Sequence, residues 1–522
     1  MKIQAYRYLN LLNKYHILTA LLIFSLFLIL ISLRGAYASE PSSLNLPSDG
    51  DVSGSCIIER EYRRAVTFSD RRRAKDLSDL LRKEGYDSAV CTEELEGRKT
   101  YVVLILIEEF NTDIVYDTGA EGGEAEISDD IFERKGGYIH PFLTISGYYT
   151  DNVFNVRDGK ENDFITIISP GIWLALPRTR ENLLSINSSS ISPGGFYIGG
   201  FSPASFRRHQ AYLYYRADFE LYDKFNDENA INHKAEGFYQ VNARGGLSIK
   251  VADQYIYSHD TRASGFSTEL DKYWTNLFNV TLTYKRPGRK FSLRGDYTNF
   301  IVNYDNDRNI FRDRTDNAFA LYIFYHFKPK TAAFIEYDLV YVNYDEDLLS
   351  DSTEQHLFAG LQWDITAKSK AVLKAGYGIK EFEKDIEESR EFMLEAIFNH
   401  RFTSKSSMKF FALRKINETN ISLTDYILSN TLGAEYSHLL TSKIRGRLSI
   451  SYTNDTYREA ITLGGVTDER EDEYIAATAA LEYDIRKWLK TEAGYTYRDR
   501  DSNFQDFDYS GYVVFFSISA SL

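Results

Sequence analysis

The sequence predicts an all-β fold: a transmembrane antiparallel β-barrel of about 18 strands, preceded by a small N-terminal α/β module. Three observations predict it. From residue 137 onward the chain is a succession of period-two runs, each with an apolar set and a polar set. Short basic or Pro-containing turns alternate with longer Asp/Asn-rich stretches between those runs. The last run reaches the C-terminal residue: Tyr512, Val514, Phe516, Ile518, Ala520 and Leu522 alternate with Ser517, Ser519 and Ser521. Such a strand must be paired, because an open edge invites aggregation and, in lipid, every unpaired backbone group carries a heavy penalty.

Composition agrees. Aromatic residues make up 15% of the 522, and the mean hydropathy of −0.37 excludes a polytopic helical membrane protein. A Tyr-rich chain that is polar on average is what alternating lipid-facing and lumen-facing residues produce. Composition alone also fits a secreted array of β-sandwiches.

The chain opens on a predicted signal peptide, residues 1–38. Lys2, Arg7 and Lys14 form a charged region, 17–33 is apolar, and Ala36 and Ala38 flank Tyr37 at the expected cleavage point. An uncleaved anchor is the alternative. Cleavage would remove four basic residues (Lys2, Arg7, Lys14, Arg34) and no acidic one, leaving 61 − 4 = 57 Lys and Arg against 75 Asp and Glu, a net charge of −18. That balance argues against a nucleic-acid partner.

Residues 39–56 read as a Ser/Pro/Gly linker. The only cysteines are Cys56 and Cys91; they are a disulfide candidate worth about 3–4 kcal/mol in an oxidising compartment, with two unpaired thiols as the alternative. Residues 57–108 read as strand, helix, strand, strand. The first strand lies near 62–68. The helix carries a Ser69 cap, Ala74, Leu77 and Leu81 at helical spacing, and a Gly85 stop. The strands near 86–92 and 100–107 follow. Ala74, Leu77, Gly85, Tyr86 and Gly97 before Tyr101-Val102-Val103 resemble the first part of a SPOR-type repeat, which implies a periplasmic module that binds peptidoglycan. The second helix and closing strand of that repeat have no counterpart here, so a docking or plug module is the alternative. Arg63, Arg64 and Arg71 to Arg73 read as a solvated face. Residues 109–136, rich in Asp, Glu and Gly, read as an acidic linker.

The barrel is expected over 137–522. Its strands are placed at 138–149, 163–176, one within 182–222, 233–242, 246–258, 273–286, 290–304, 315–328, 331–344, 355–367, 370–383, 390–403, 406–419, 427–440, 443–456, 472–485, 488–499 and 507–522. Ser192, Pro193 and Pro203 interrupt 182–222, and an insert there keeps the strand number even. Short turns are read at 177–181, 287–289, 328–330, 367–370, 403–406, 441–443 and 486–487. Long loops are read at 150–162, 259–271, 305–313, 345–354, 457–470 and 498–506. Within strands the phases are clear. Leu357, Leu361 and Trp363 share a face, as do Leu373 and Tyr377, Phe392 and Phe398, and Leu448, Ile450 and Tyr452. The opposite face supplies the candidate pore-lining residues Lys374, Lys380, Glu391, Glu395, Arg401, Arg445, Arg447, Glu482, Lys490 and Glu492. Their mixed charge fits either ion pairs bracing the wall or a path for a hydrated polymer. Tyr325, Phe327, Tyr377 and Tyr452 suit an interfacial girdle.

Two features carry a family resemblance. The terminal alternation resembles the targeting signal of bacterial outer-membrane barrels. Tyr149, Asp151, Asn152, Val153 and Phe154, followed by ITIISPGIWLA at 165–175 and by Arg178, Arg180 and Asn182, resemble the start of an outer-membrane β-barrel porin family associated with exopolysaccharide and capsule operons, the beta-barrel porin 2 type. The resemblance implies an outer-membrane transport barrel in contact with outer-membrane lipid, a polysaccharide as cargo, and a periplasmic polysaccharide-export protein as partner. A small-solute porin and a non-conducting barrel tethering outer membrane to cell wall are the alternatives. Pro170-Gly171 alone is also explained by a bend in a strand.

Catalysis and cofactors are not expected. The histidines are scattered singly, with no HExxH, nucleophile signature or Cys/His cluster. Asp305–Asp307 and Asp345–Asp347 lack the Asp-x-Asp-x-Asp-Gly calcium loop, so no metal site is expected.

Overall fold

The computed structural model describes residues 62–68, 75, 88–95, 98–106, 138–176, 188–195, and 208–521 apart from 244, 266, 287, 329–330, 367, 385, 464 and 487. The signal peptide, both linkers, Cys56 and the stretch read as a helix (save Lys75) lie outside the described residues, and so does any Cys56–Cys91 pairing.

The N-terminal unit contains three strands: β1 (Tyr62–Phe68), β2 (Ser88–Leu95) and β3 (Arg98–Leu106). They form one sheet in the order β1-β3-β2.

The second unit is a closed barrel of eighteen antiparallel strands, β4 to β21, each paired to its sequence neighbours, with β21 closing on β4. The strands are β4 (Ile139–Thr150), β5 (Asp163–Leu176), β6 (His209–Tyr222), β7 (Ala230–Asn242), β8 (Leu247–His259) and β9 (Lys272–Lys285). Next come β10 (Phe291–Tyr304), β11 (Arg314–Lys328), β12 (Thr331–Tyr344), β13 (Ser352–Thr366), β14 (Ser369–Phe382) and β15 (Ser389–Thr403). The last six are β16 (Ser406–Glu418), β17 (Tyr426–Leu439), β18 (Ile444–Leu463), β19 (Val466–Arg486), β20 (Leu489–Ser502) and β21 (Tyr509–Ser521). Both chain ends of the barrel lie at one rim, the terminal rim, where β5 ends and β6 begins; the other longer connections lie at the opposite rim, the loop rim.

Period-two patterning explains the wall. Leu357, Leu432, Leu448 and Phe291 are more than half exposed on the outer face, and Tyr325, Phe327, Tyr377 and Tyr452 are exposed there too. An apolar face this large belongs in lipid, and closure leaves no strand edge exposed to it. The inner face packs rings against glycines. Phe142 pairs with Gly171, Phe334 with Gly360, Phe411 with Gly433 and Phe515 with Gly494. A Cβ at Gly171 would sit 2.1 Å from the Phe142 ring, so the Pro-Gly of β5 makes room for a cross-strand aromatic.

The one strand expected within 182–222 is β6, and 188–195 belongs to the insert before it; the turn read at 177–181 lies outside the described residues. The loop read at 457–470 is instead a long hairpin. β18 and β19 stay paired out to Leu463 and Val466, and turn at Gly465, whose φ of +83° suits a tight hairpin. Lys374, Lys380, Glu395, Lys490 and Glu492 point inward and are buried against oppositely charged wall residues.

Candidate functional site: the barrel lumen

Alternation along each strand projects every second side chain into the lumen, and the neighbouring strands' register sets which of these meet. At mid-barrel Lys374 Nζ lies 2.8 Å from Glu336 and 3.1 Å from Glu395, with the Phe358 ring centroid at 4.6 Å. One level nearer the loop rim, Lys380 Nζ lies 2.8 Å from Glu354 and 2.6 Å from Glu418. His356 joins this level, 3.2 Å from Glu354 and 3.7 Å from Asp338. Charges this deep persist only because each has a counter-charge at hydrogen-bonding distance.

Nearer the terminal rim the wall is more open. Arg445 lies 3.5 Å from Glu482, and Lys490 2.5 Å from the same carboxylate. Arg447 pairs with Glu492. The Arg445 and Arg447 side chains keep 34% and 28% of their surface exposed. Across β4 to β7 the same rim carries stacked rings: His140 on Trp173 (3.7 Å between centroids), Trp173 on Tyr212 (5.4 Å) and Tyr212 on Phe238 (6.1 Å).

Near the loop rim, segments occupy the lumen. Residues 188–195, part of the β5–β6 connection, run from β8 across to β16. Ser188 Oγ donates to Gln254 at 2.6 Å, Ser190 Oγ to Asp260 at 3.0 Å, and the Gly194 N–H to Asp316 at 2.9 Å. The Lys415 ammonium donates to Ser192 Oγ at 3.1 Å, and the Glu418 N–H to the Ile191 carbonyl at 2.7 Å. Asp260 is clamped further by Arg312 (2.6 Å) and the Tyr304 hydroxyl (2.9 Å). The β8–β9 loop reaches toward the far wall, where Arg500 donates to the Ala263 carbonyl at 2.7 Å and Asn420 to the Ser264 carbonyl at 2.8 Å. Ile421, Ile427, Tyr457, Ile461, Phe504 and Phe507 form an apolar core among these loops.

Of the ten predicted pore-lining residues, the structure brings together Lys374 with Glu395, Arg445 with Glu482 and Lys490, and Arg447 with Glu492. Lys380 belongs to the Glu354–Glu418 group. Glu391 lies 2.9 Å from Arg414 at the β15–β16 seam, and Arg401 sits half-buried near the terminal rim. Sequence reasoning missed Glu336, Asp338, Glu354, His356, the clamp at Asp260, and Asp316 with its ion-pair partner Arg314 at 3.2 Å. The first four were within reach: they lie on the polar phase of β12 and of β13, the strand that carries the Leu357 pattern. Among the described residues no group of three or more His, Cys, Asp or Glu is arranged to hold a metal ion.

The pattern of the family described as Putative beta-barrel porin 2 matches residues 203–522, more than half of the chain and all of the barrel from β6 onward. The chain belongs to this family. It is an outer-membrane β-barrel porin. No curated protein matches its sequence. Similar solved structures, all from Pseudomonas aeruginosa, include OccK2 (OpdF), at 10% identity and a TM-score of 0.40 over 74% of this chain and 98% of that one. OpdL is similar at 10% identity and 0.39, covering 74% and 98%. The siderophore receptor PirA is similar at 8% and 0.35, covering 75% and 81%. At such scores these likenesses carry no argument about what the porin transports.

Proposed function

We propose that this porin is the outer-membrane pore through which an exopolysaccharide leaves the cell, delivered by a periplasmic export protein. The observation that carries the reading is the lumen wall beside the terminal rim. Arg445 and Arg447 are partly exposed there, yet each is paired with a carboxylate, Glu482 or Glu492. Such a wall offers hydrogen-bond donors and acceptors whose charges are largely compensated, so a hydrated, hydroxyl-rich chain binds and slides without being trapped. The family resemblance at 149–182 supports the same cargo. In this reading the loop rim faces outward and the terminal rim faces the periplasm. The β1-β3-β2 sheet, as a module of residues 57–108, docks to the export protein or to peptidoglycan.

One observation favours small-solute transport instead: the 188–195 chord narrows the lumen between β8 and β16. A strain carrying Arg445→Glu/Arg447→Glu separates the two. Export predicts less surface polysaccharide with a normally assembled barrel. Unchanged polysaccharide with altered small-solute uptake would favour the solute porin.

A further inference from the structure

We infer that the β16–β17 hairpin is a gate with two docking positions, one folded into the lumen and one zipped into the wall against β15. The register between β15 and β16 ends at Leu394 opposite Arg414, although β15 begins at Ser389 and β16 runs on to Glu418. On either side the ladders continue, from β14 to β15 up to Lys380 opposite Ser389 and from β16 to β17 up to Glu418 opposite Tyr426. The residues 390–393 and 415–418 are therefore strand on both sides of a seam that is not paired.

Beyond Arg414, the hairpin bends inside the barrel and laps behind β15. Ile416, Tyr426 and Leu428, which alternation assigns to the outer face, are buried together against Phe382 of the inner face. Glu418, on the same outer phase, reaches Lys380 and the Tyr344 hydroxyl (2.7 Å) on the lumen side. The strand edge that β16 turns away from β15 is taken by the inner segment, through the Glu418 N–H and the Ile191 carbonyl. Arg414 closes the seam. Its Nε donates to the Phe392 carbonyl at 2.9 Å, in place of a ladder N–H, and its other nitrogens reach Glu391 and Asn430.

The residues also fit the zipped position. Continuing the register sets Phe392 opposite Ile416 on the lipid side and Arg390 opposite Glu418, an apolar pair and a pair of opposite charges. Met393 and Lys415, and Glu391 and Asn417, would then face the lumen. Tyr426 and Leu428 would join the apolar outer face. One sequence satisfies two packings, and the 188–195 segment competes with β15 for the same edge of β16. Zipping would carry the 419–425 loop out of the mouth and release its bond to Ser264.

The test is a conductance measurement on the full-length porin in planar bilayers, in a Cys56→Ser/Cys91→Ser background. Met393→Cys/Lys415→Cys places thiols opposite each other only in the zipped position. Oxidation is expected to form the cross-link and raise conductance several-fold, and reduction to reverse it. A cross-link with unchanged conductance, or no cross-link in barrel that migrates as folded on unboiled gels, would overturn the gate. Should the double-cysteine barrel fail to assemble, Glu418→Gln removes half of the Lys380 latch. It is expected to raise the fraction of time spent open; an unchanged open fraction counts against the proposal.

Discussion

The Glu418 carboxylate accepts a hydrogen bond from Lys380 Nζ at 2.6 Å, although strand alternation assigns Glu418 to the lipid side and Lys380 to the lumen. Lys380 is also bonded to Glu354 at 2.8 Å, so one buried ammonium serves two carboxylates on different strands. The contact exists only because β16 leaves β15 after Arg414. A charge network of the wall is thereby tied to the position of a hairpin.

The Lys374 triad tests the bracing role of the lumen charges. Lys374→Ala leaves Glu336 and Glu395 buried without a counter-charge and is expected to cost about 3–5 kcal/mol of barrel stability. Replacing all three by Met, Leu and Leu is expected to recover most of it. Urea unfolding of the barrel in vesicles measures both.

Gly433 faces the Phe411 ring so closely that an added Cβ would fall 2.2 Å from it. Gly433→Val is expected to lower stability by about 1–3 kcal/mol through overpacking. Gly433→Val with Phe411→Ala is expected to restore folded yield, read from migration of unboiled samples.

The loop joint at Asp313 should respond to pH. Burial, and the neighbouring carboxylates of Asp345 and Glu346, push its pKa up to about 7, against the Tyr304 N–H that bonds to it. Asp425 is pushed up to about 6 by burial and by Glu459. A carboxyl whose folded pKa lies above its unfolded value near 4 favours folding when protonated. That contribution is full below about pH 4 and is lost as pH rises toward 6 at Asp425 and 7 at Asp313. Backbone hydrogen exchange around 305–313 and 345–351, corrected for intrinsic rates, should be faster at pH 8 than at pH 5. Asp313→Asn should flatten that difference.

The clamp on Asp260 supplies a further expectation. Asp260→Ala removes the partner of Arg312, Tyr304 and Ser190 at once and leaves Arg312 a buried, uncompensated cation. Protease nicking within 188–195 should rise from undetectable to rapid while the strands remain protected.

The wall was legible because its local signals agree. Asp163–Leu176 and Thr331–Tyr344 stand at the limits read from sequence, where patterned runs meet turn residues at Asn162, Pro177 and Pro329. The lipid face followed from Leu357, Leu373 and Phe392 by phase alone. Where pattern and structure part, the cause is tertiary. The Asp/Glu-rich stretch after Tyr457 suggested a loop, while Gly464-Gly465, a hairpin signal, lay within it. Nothing local in Ser188 to Pro193 announces a segment inside a barrel, since its partners Gln254, Asp316 and Glu418 are distant in sequence. The lapped seam is invisible to alternation, because bending β16 inward reverses which face is wet without changing the pattern.

Single-channel conductance of the full-length protein, with and without residues 188–195, tests most directly the claim that this is a pore closed from within. The account predicts small, infrequent openings for the intact protein. It predicts a large, steady conductance, of the size expected for an eighteen-strand lumen, once the segment is deleted. An intact protein that already conducts at the deleted protein's level would contradict it.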